Sequence, residues 1–342
     1  MKALFIGGTG IISTSISQLL PGLGWELTLL NRGIHQDRTP AGVSILQGDM
    51  KDEAHIADLI AGRFYDVIVD FIAFRPEQVE RDIRLFTGHC DQYIFISSAS
   101  AYQKPPASWL ITESTPLHNP YWQYSRDKAA CEQVLIDAYR EKGFPVTIVR
   151  PSHTYNEWSM PLAIHGKNGP WQTIQRMKDG KPVIVIGDGT SLWTVTHSLD
   201  FAAGFIGLMG NVHALGEAVH ITSDEAMPWN QIYESVGRAF GVKPVLVHVA
   251  TETLVAREPS FAGPLLGDKA NSVVFDNTKL KRLVPCFAAK IRFDQGIRMT
   301  AAWFEAHPEA QTADPDWDAW TESMIQSQIT SQNAPSDVHQ RT

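Results

Sequence analysis

Cysteine is scarce in this chain. Among 342 residues only Cys90, Cys131 and Cys286 are cysteine, and no two of them form a CxxC pair. A disulfide scaffold or a cysteine-type zinc site needs several closely placed cysteines, so both are excluded. Sparse, unpaired cysteine is typical of proteins in a reducing compartment, and we expect a cytoplasmic location.

Long apolar runs and an excess of positive charge are also missing. No stretch approaches the about 18 apolar residues of a membrane span, and the apolar start at Ala3–Ile6 is too short for a signal peptide. Lys and Arg number 29 against 37 Asp and Glu, which gives a formal net charge of -8. Non-specific nucleic-acid binding depends on clustered Lys and Arg. We therefore expect a small-molecule substrate, and neither a membrane nor a nucleic-acid partner.

The first half of the chain alternates short apolar runs with helical patterns. The apolar runs lack polar alternation, as expected of strands that are covered on both faces. Strands are predicted at Ala3–Ile6, Glu26–Leu30, Val43–Leu46, Val67–Phe71, Tyr93–Ile96 and Val146–Val149. Helices are predicted at Ile11–Leu20, Glu53–Ile60, Pro76–Leu85 and about Gln123–Tyr139. This alternation predicts an α/β fold with a parallel sheet and right-handed crossovers.

The pattern loosens in the second half. Residues 152–181 are rich in loops and aromatic side chains, and a strand at Pro182–Ile186 and a helix at Phe201–Met209 follow. The tail, residues 326–342, is rich in Ser, Gln, Asn and Thr and is predicted to be disordered. We predict a dinucleotide-binding domain from residues 1–155 and about 190–220, and a smaller lobe from about 156–189 and 221–325.

A glycine-rich loop follows the first predicted strand and opens the first helix. Residues 7–13 read GGTGIIS. Glycines allow a tight turn and a close backbone approach, and the free N–H groups of a helix N-terminus can bind a pyrophosphate. Ser13 stands where a third glycine is usual, and it is small enough to keep the helix close to the strand. This placement favours dinucleotide binding over a plain strand–helix turn.

The ends of the next two strands bear on which dinucleotide binds. An acidic residue after the second strand would hold the ribose 2′-hydroxyl of NAD, whereas an arginine can pair with the 2′-phosphate of NADP. Asn31 and Arg32 stand there, which favours NADP and leaves NAD open. Asp49 and Met50, after the third strand, are placed to flank an adenine.

A tyrosine and a lysine lie four residues apart on the long predicted helix, so that Tyr124 and Lys128 share one face. The preceding strand ends in Ser97–Tyr102, at the edge where open α/β sheets bind ligands. A free phenol titrates near pH 10, and a nearby ammonium and a positively charged nicotinamide would lower that pKa. Tyr124 would then exchange a proton with a substrate hydroxyl or carbonyl, with a serine hydroxyl orienting the same oxygen.

In combination these motifs resemble the extended short-chain dehydrogenase/reductase family, also called the NAD-dependent epimerase/dehydratase family. The resemblance runs from Met1 to about Pro308 and includes the segments Arg150–Tyr155, Gly187–Gly189, His197–Asp200 and Phe275–Lys279. It implies a Rossmann-type doubly wound parallel sheet with a smaller C-terminal substrate-binding lobe. It also implies an NAD(P)-dependent enzyme, and a homodimer through the long helix is typical of the family.

The resemblance assigns roles to particular residues. The family's catalytic serine or threonine, four residues before a tyrosine, is here Ser98; its acid/base tyrosine is Tyr124, and its ribose-holding lysine is Lys128. The implied cofactor-binding residues are Gly7, Thr9, Gly10, Ile11, Ile12, Asn31, Arg32, Asp49, Met50, Phe71, Ile72, Ala73, Tyr124, Lys128, Pro151 and His153. The expected substrate-binding residues are Ser98, Ser100, Tyr121, Trp122 and Trp193.

Two departures from the family pattern narrow the reaction. Members that eliminate water carry Asp-Glu directly after the catalytic residue, whereas this chain has Ala99-Ser100, so we do not expect a dehydratase. Nucleotide-sugar members usually place a diphosphate-binding arginine four residues before the histidine at His197, and here that residue is Trp193. The favoured hypothesis is an oxidoreductase that moves a hydride between nicotinamide and a carbinol or ketone carbon of a sugar-like or small carbonyl substrate.

Two other functions stay open. A sugar epimerase, which oxidises and re-reduces its substrate on a retained NAD, would use the same residues. The C-terminal half also resembles chloroplast stem-loop RNA-binding members of the family, although the acidic chain and the complete Ser98, Tyr124 and Lys128 set weigh against RNA binding. The spacing of the histidines after residue 152 matches no metal-ligand pattern, so no metal site is expected.

Overall fold

The computed structural model describes residues 1–34 and 38–333. Its strands are β1 (Lys2–Ile6), β2 (Glu26–Asn31), β3 (Ser44–Gln47), β4 (Tyr65–Asp70), β5 (Cys90–Ile96), β6 (Leu110–Ile111), β7 (Val146–Pro151), β8 (His153–Tyr155), β9 (Pro182–Ile186), β10 (Leu192–Trp193), β11 (Val195–His197), β12 (Ala218–Ile221), β13 (Met227–Pro228), β14 (Val245–Val249) and β15 (Val274–Phe275). Its α-helices are α1 (Ile11–Leu19), α2 (Glu53–Ile60), α3 (Pro76–Phe86), α4 (Gln123–Lys142), α5 (Trp171–Lys178), α6 (Ser198–Leu208), α7 (Trp229–Ala239), α8 (Thr251–Arg257), α9 (Ala262–Pro264), α10 (Thr278–Leu283), α11 (Phe293–Ala306) and α12 (Pro315–Asn333).

One parallel sheet organises the first half of the molecule. Its seven strands, all within the described residues, lie in the order β12-β7-β5-β4-β1-β2-β3, and every neighbouring pair is parallel. From β1 the chain builds outward first through β2 and β3, then on the other side through β4, β5, β7 and β12. The direction reverses between β1 and β4, which is where such sheets form their ligand crevice. The structure confirms the Rossmann-type fold class, and each of the six predicted strands lies in this sheet.

Helices cover both faces of the sheet. On β1, Ala3 and Phe5 pack toward α1 and α6, whereas Leu4 and Ile6 pack toward α2, α3 and α4. Successive side chains of a strand point to opposite faces, so a strand covered on both sides must be apolar throughout. This double burial explains why the predicted strands show no polar alternation.

A third hydrophobic cluster consists largely of residues after Tyr155. Its aromatic side chains include Trp171 on α5, Trp229 on α7 and Phe304 on α11, and the parallel pair of β9 and β14 crosses it. Residues just after α10 pack elsewhere, because Val284 belongs to the cluster on the α1 and α6 face of the large sheet. The domain boundaries expected from the sequence stay a prediction.

The C-terminal segment is helical beyond the point that its composition predicts. Helix α12 continues to Asn333, and Trp317, Met324 and Ile325 on it are buried against the third cluster. The prediction of disorder from residue 326 is therefore wrong for residues 326–333, which continue the helix that begins at Pro315; residues 334–342 lie outside the described part. Within residues 1–34 and 38–333, no helix has the length and apolar character needed to span a bilayer.

Candidate active site

A long cleft opens at the carboxyl ends of the central strands. Its first part, here called the outer cleft, encloses about 540 Å³ over the glycine loop and the ends of β2, β3 and β4. Of the expected cofactor residues, those lining it are Gly7, Thr9, Gly10, Asn31, Arg32, Asp49, Met50, Phe71 and Ile72. The structure thus brings together residues from four separate strand ends, as the crevice of a doubly wound sheet requires.

The glycine loop has the conformation that its sequence predicts. Gly7 and Gly8 have φ angles of +101° and +98°, a region that side-chain-bearing residues rarely adopt. A Cβ on Gly8 would also lie 2.7 Å from Cδ2 of Leu29. The Gly10 N–H donates to the Ser13 hydroxyl at 2.9 Å, so the serine in the third-glycine position closes the loop onto the start of α1. Gly7, Gly8 and Gly10 all line the outer cleft, so the backbone of the loop forms part of its wall.

Basic side chains surround the end of β2. Arg32 is exposed there, and Arg38 and Lys51 line the outer cleft with it. The Asn31 amide oxygen accepts the N–H of Gly33 at 2.8 Å. Sequence reasoning missed Arg38 and Lys51, because Arg38 lies in an irregular segment and Lys51 follows the pair selected as adenine neighbours.

The next part, the middle cleft, measures about 300 Å³. It shares Gly10, Ser13, Phe71 and Phe74 with the outer cleft, so the two are continuous. Five further expected residues line it, namely Ile11, Ile12, Tyr124, Lys128 and Pro151. The cleft therefore leads from the glycine loop to the tyrosine–lysine helix.

Lys128 is buried at the bottom of the middle cleft. Its Nζ donates to the carbonyl oxygens of Ala73 and Ile96, both at 2.7 Å, and lies 4.5 Å from the centre of the Phe74 ring. Burial lowers the pKa of this ammonium to about 8, although the carboxylate of Asp70 acts in the opposite direction. Lys128 thus ties α4 to the ends of β4 and β5. Ala73, an expected cofactor residue, meets it through its carbonyl.

Tyr124 stands where the middle cleft meets a further pocket. Burial raises the pKa of its phenol, and a hydrogen bond with Ser98 opposes that rise. The groups of the protein itself therefore raise the pKa of Tyr124, whereas the tyrosine–lysine spacing predicts a lowered pKa. The Lys128 Nζ lies 5.9 Å from the centre of the Tyr124 ring and is engaged by two backbone carbonyls, so burial dominates.

A chain of hydroxyl groups supports Ser98. The Ser98 Oγ lies 2.9 Å from the Ser100 Oγ. The Ser100 Oγ in turn accepts a hydrogen bond from the hydroxyl of Ser125 on α4 at 2.8 Å. Asn119 fixes this segment from behind, because its side-chain N–H groups donate to the carbonyls of Ser100 at 2.8 Å and Gly267 at 2.6 Å. The segment that carries Ser98 is therefore held by both α4 and the distant segment at Gly267.

The inner pocket, about 260 Å³, lies beyond Ser98 and Tyr124. Among expected substrate residues it is lined by Ser98, Ser100, Trp122 and Trp193. Tyr121, expected in the pocket wall, is 45% exposed and does not line this pocket as the described residues form it.

His153, expected beside the cofactor, lines the inner pocket instead of the middle cleft in the described structure. Burial lowers the pKa of its imidazole to about 3, and the charge of Lys269 acts in the same direction. His153 Nδ1 accepts the indole N–H of Trp193 at 3.4 Å. The imidazole is therefore neutral, and its other nitrogen, Nε2, carries the proton.

Two charged residues of the inner pocket escaped sequence reasoning. Asp268 and Lys269 line it and come from a π-helical turn, Leu265–Lys269. No spacing motif marked them, because tertiary packing alone brings this turn to the end of β5. Within the described residues, no group of three or more His, Cys, Asp or Glu side chains could hold a metal ion.

A buried ionic group lies behind the site. Arg150 on β7 donates to the Glu132 carboxylate at 2.9 and 2.5 Å, and the Ser97 hydroxyl donates to the same carboxylate. Glu132 lies one turn after Lys128 on α4, and Ser97 directly precedes Ser98. The group therefore connects α4 to the end of β5, where Ser98 stands.

Comparisons with known proteins agree with this geometry. The sequence profile of the NAD-dependent epimerase/dehydratase family matches residues 3–221. The chain is 25% identical over 287 residues to the 2′-dehydrokanamycin reductase of Streptomyces kanamyceticus, covering 84% of this chain and 80% of that protein. It is 26% identical over 261 residues to the chloroplast stem-loop binding protein of 41 kDa b of Arabidopsis thaliana, covering 72% and 65%.

A solved structure extends the comparison at the level of the fold. The UDP-glucuronic acid 4-epimerase of Bacillus cereus, in complex with NAD, matches with a TM-score of 0.71 at 15% identity, covering 92% of this chain and 99% of that one. The family profile spans more than half of the chain and includes the glycine loop, Ser98, Tyr124 and Lys128. The chain therefore belongs to the NAD-dependent epimerase/dehydratase family, the extended short-chain dehydrogenases/reductases, and is an enzyme of that family.

Proposed function

We propose that the protein is an NADP-dependent reductase of a small, sugar-like carbonyl compound, with Tyr124 as the proton donor. The observation that carries this proposal is the position of Ser98 and Tyr124 at the junction of a dinucleotide-sized cleft and a small inner pocket. Lys128 completes the set at the bottom of the middle cleft.

The residues of the cleft fit a dinucleotide. Gly7 and Gly8 have the positive φ angles of a tight turn, and Gly10 and Ser13 at the start of α1 line the outer cleft. A bound nicotinamide cofactor would supply the hydride. Lys128 would hold the nicotinamide ribose, and the hydroxyls of Ser98 and Tyr124 would both contact the substrate oxygen. Lys128 would then bind the cofactor, Tyr124 would donate the proton, and Ser98 would orient the substrate oxygen.

Reduction is the net reaction that we favour. A carbonyl that receives a hydride needs a proton on its oxygen, and a phenol carries such a proton at neutral pH. An epimerase would first need the same phenol as a base. The reductase named among the relatives agrees with this direction.

The basic rim of the outer cleft favours NADP over NAD. Arg32, Arg38 and Lys51 all line it, and the 2′-phosphate of NADP is the dinucleotide group that needs cations there. We expect Arg32→Ser to weaken NADPH binding about tenfold, the effect of about 1.4 kcal/mol, without changing NADH binding. Mass spectrometry of nucleotide released on denaturation checks the same point, because stoichiometric NAD⁺ would favour a retained-cofactor epimerase.

Tyr124→Phe tests the catalytic assignment. Loss of the proton donor should lower kcat about 10²- to 10⁴-fold while NADPH affinity is unchanged, measured as NADPH oxidation against a panel of ketones and aldoses. Tyr121→Phe is the matched control, since Tyr121 is an exposed neighbour, and it should keep full activity. Full turnover in Tyr124→Phe with intact cofactor binding would disprove the proposal.

A further inference from the structure

The inner pocket contains one ammonium group without a direct partner. Its neighbouring carboxylate, Asp268, forms an ion pair with the buried Lys104 at 3.6 Å. Lys269 follows Asp268 in the chain and lines the same pocket. Across residues 1–34 and 38–333, the Lys269 ammonium has neither a hydrogen bond nor an ion pair, although the Asp268 carboxylate acts on it at longer range.

Two charged side chains line this pocket, Asp268 and Lys269. The Asp268 carboxylate is paired with Lys104, which lies outside the lining, so the Lys269 ammonium is the charge that has no direct partner. His153 adds no charge, because its imidazole is neutral. An uncompensated charge away from bulk water is unfavourable unless a ligand of opposite sign meets it. The pocket is therefore complementary to a single negative charge.

The donor groups in the pocket point to the same chemistry. Lys269 offers an ammonium, and His153 offers an N–H at Nε2 because its Nδ1 accepts from Trp193. A group that meets both needs acceptor oxygens, and a negative charge on that group would also compensate the ammonium of Lys269. A carboxylate has this character, since it accepts on both oxygens when ionised.

The size and rigidity of the pocket limit what the anion can belong to. At about 260 Å³ it is smaller than the about 300–1,000 Å³ of pockets that enclose drug-sized ligands. Trp193 forms one wall and stacks on Trp229, with ring centres 5.6 Å apart, which leaves it little freedom to move aside. The enclosed volume suits one sugar-sized ring and is too small to enclose a whole nucleoside diphosphate.

We infer that the substrate is a single-ring or smaller carbonyl compound that carries a carboxylate, and that the Lys269 ammonium binds that carboxylate. This inference rests on the proposed function, because it names the substrate class of the same reaction. Lys269 is then a specificity-determining residue. An amino sugar is disfavoured, because it would bring an ammonium group against Lys269.

Equilibrium binding tests the inference without requiring turnover. We would titrate the full-length protein, saturated with NADP⁺, with D-glucuronate, D-glucose and D-glucosamine at constant ionic strength, using calorimetry. These probes share one ring and differ in bearing a carboxylate, a neutral hydroxymethyl group or an ammonium. We expect glucuronate to bind at least tenfold more tightly than glucose, and glucosamine to bind most weakly.

Variants separate Lys269 from general charge effects. Lys269→Gln should remove the preference for glucuronate over glucose and leave NADP⁺ affinity unchanged, whereas Lys269→Arg should retain it. Lys243→Gln, which removes an exposed lysine, is the matched control and should behave like the wild type. Absence of glucuronate binding, equal affinity for glucuronate and glucose, or an unchanged preference in Lys269→Gln would each overturn the inference.

The outcome also distinguishes this inference from the proposed function. Tyr124→Phe should keep the glucuronate preference even where turnover is lost. If wild-type protein shows the preference but reduces no carbonyl compound with NADPH, the proposed function fails and the carboxylate site stands. If it reduces neutral ketones as well as their carboxylate-bearing counterparts, the proposed function stands and the inference fails.

Discussion

The outer cleft and the inner pocket are built in different ways. Segments that follow successive strands line the outer cleft, from the glycine loop at Gly7 to the end of β4 at Phe71. The inner pocket draws instead on segments far apart in the chain, from Ser98 to Trp193 and Asp268. The topology of the sheet forms the outer cleft, whereas the inner pocket depends on how segments later in the chain pack against the sheet.

The two regions also depend on different interactions. Backbone geometry sets the outer cleft, as the positive φ angles of Gly7 and Gly8 show. Buried polar contacts set the inner pocket, such as the bonds from Asn119 and the ion pair of Lys104 with Asp268. Substitutions in the first region should therefore act mainly on cofactor binding, and substitutions in the second on substrate binding.

The largest stability effect is expected where the two regions meet. Glu132→Ala would leave the Arg150 guanidinium buried without its carboxylate partner, and breaking a buried pair in this way costs about 3–5 kcal/mol. Urea unfolding measures the loss. Glu141→Ala, an exposed acidic residue on the same helix, is the control and should change the free energy of unfolding by less than about 0.5 kcal/mol. A comparable small effect for Glu132→Ala would show that the ionic group does not join the regions.

A smaller effect, confined to the inner pocket, is expected from Asn119→Ala. The substitution removes the donors to the carbonyls of Ser100 and Gly267, and unsatisfied buried acceptors cost about 1–3 kcal/mol. KM for the carbonyl substrate should rise while the Kd for NADPH stays constant. An equal rise in both would contradict the separation of the two regions.

Gly8→Ala is the corresponding change in the outer cleft. A left-handed conformation costs a residue with a Cβ about 1–2 kcal/mol, and this Cβ would lie against Leu29. We expect weaker NADPH binding and an unchanged KM measured at saturating NADPH. Gly22→Ala provides the comparison, because a Cβ there meets nothing within 4 Å. Tight NADPH binding by Gly8→Ala would show that the loop tolerates the strain.

The smallest effect concerns pH. The folded protein holds the pKa of His153 at about 3, below the about 6.5 of an unfolded histidine, so protonation favours the unfolded chain. The stability that His153 contributes is complete above about pH 6.5 and is lost progressively as pH falls from there toward 3. Lowering the pH from about 7.5 to 5.5 should cost about 1.4 kcal/mol through this residue. Urea unfolding of His153→Gln at both pH values should show a pH dependence smaller by that amount; an identical dependence would contradict it.

The sequence predicted the central sheet and its loops closely. Each predicted strand and helix of the first half is present, and the expected helix at Phe201–Met209 corresponds to α6. The tail shows the limit of composition as a guide, because Trp317 and Ile325 pack on the third cluster and keep the polar α12 helical. Local pattern cannot reveal a distant apolar partner.

The residues of the candidate site also differ in whether the sequence could predict them. Tyr124 and Lys128 were predicted from a helical spacing after a serine-rich strand end, and the resemblance to the family singled out Ser98 within that strand end. Asp268 and Lys269 carry no such mark, and the raised pKa of Tyr124 depends on burial that no spacing reports.

By itself, the sequence determined the parallel sheet, the glycine loop and the tyrosine–lysine face of α4. These features follow from short-range rules, namely side-chain alternation, glycine's access to positive φ and the helical repeat. Only the tertiary structure decided the shape and charge of the inner pocket and the pKa values within it. Those properties arise from groups more than a hundred residues apart, such as Lys104 and Asp268, whose interaction depends on distance and burial rather than on order along the chain.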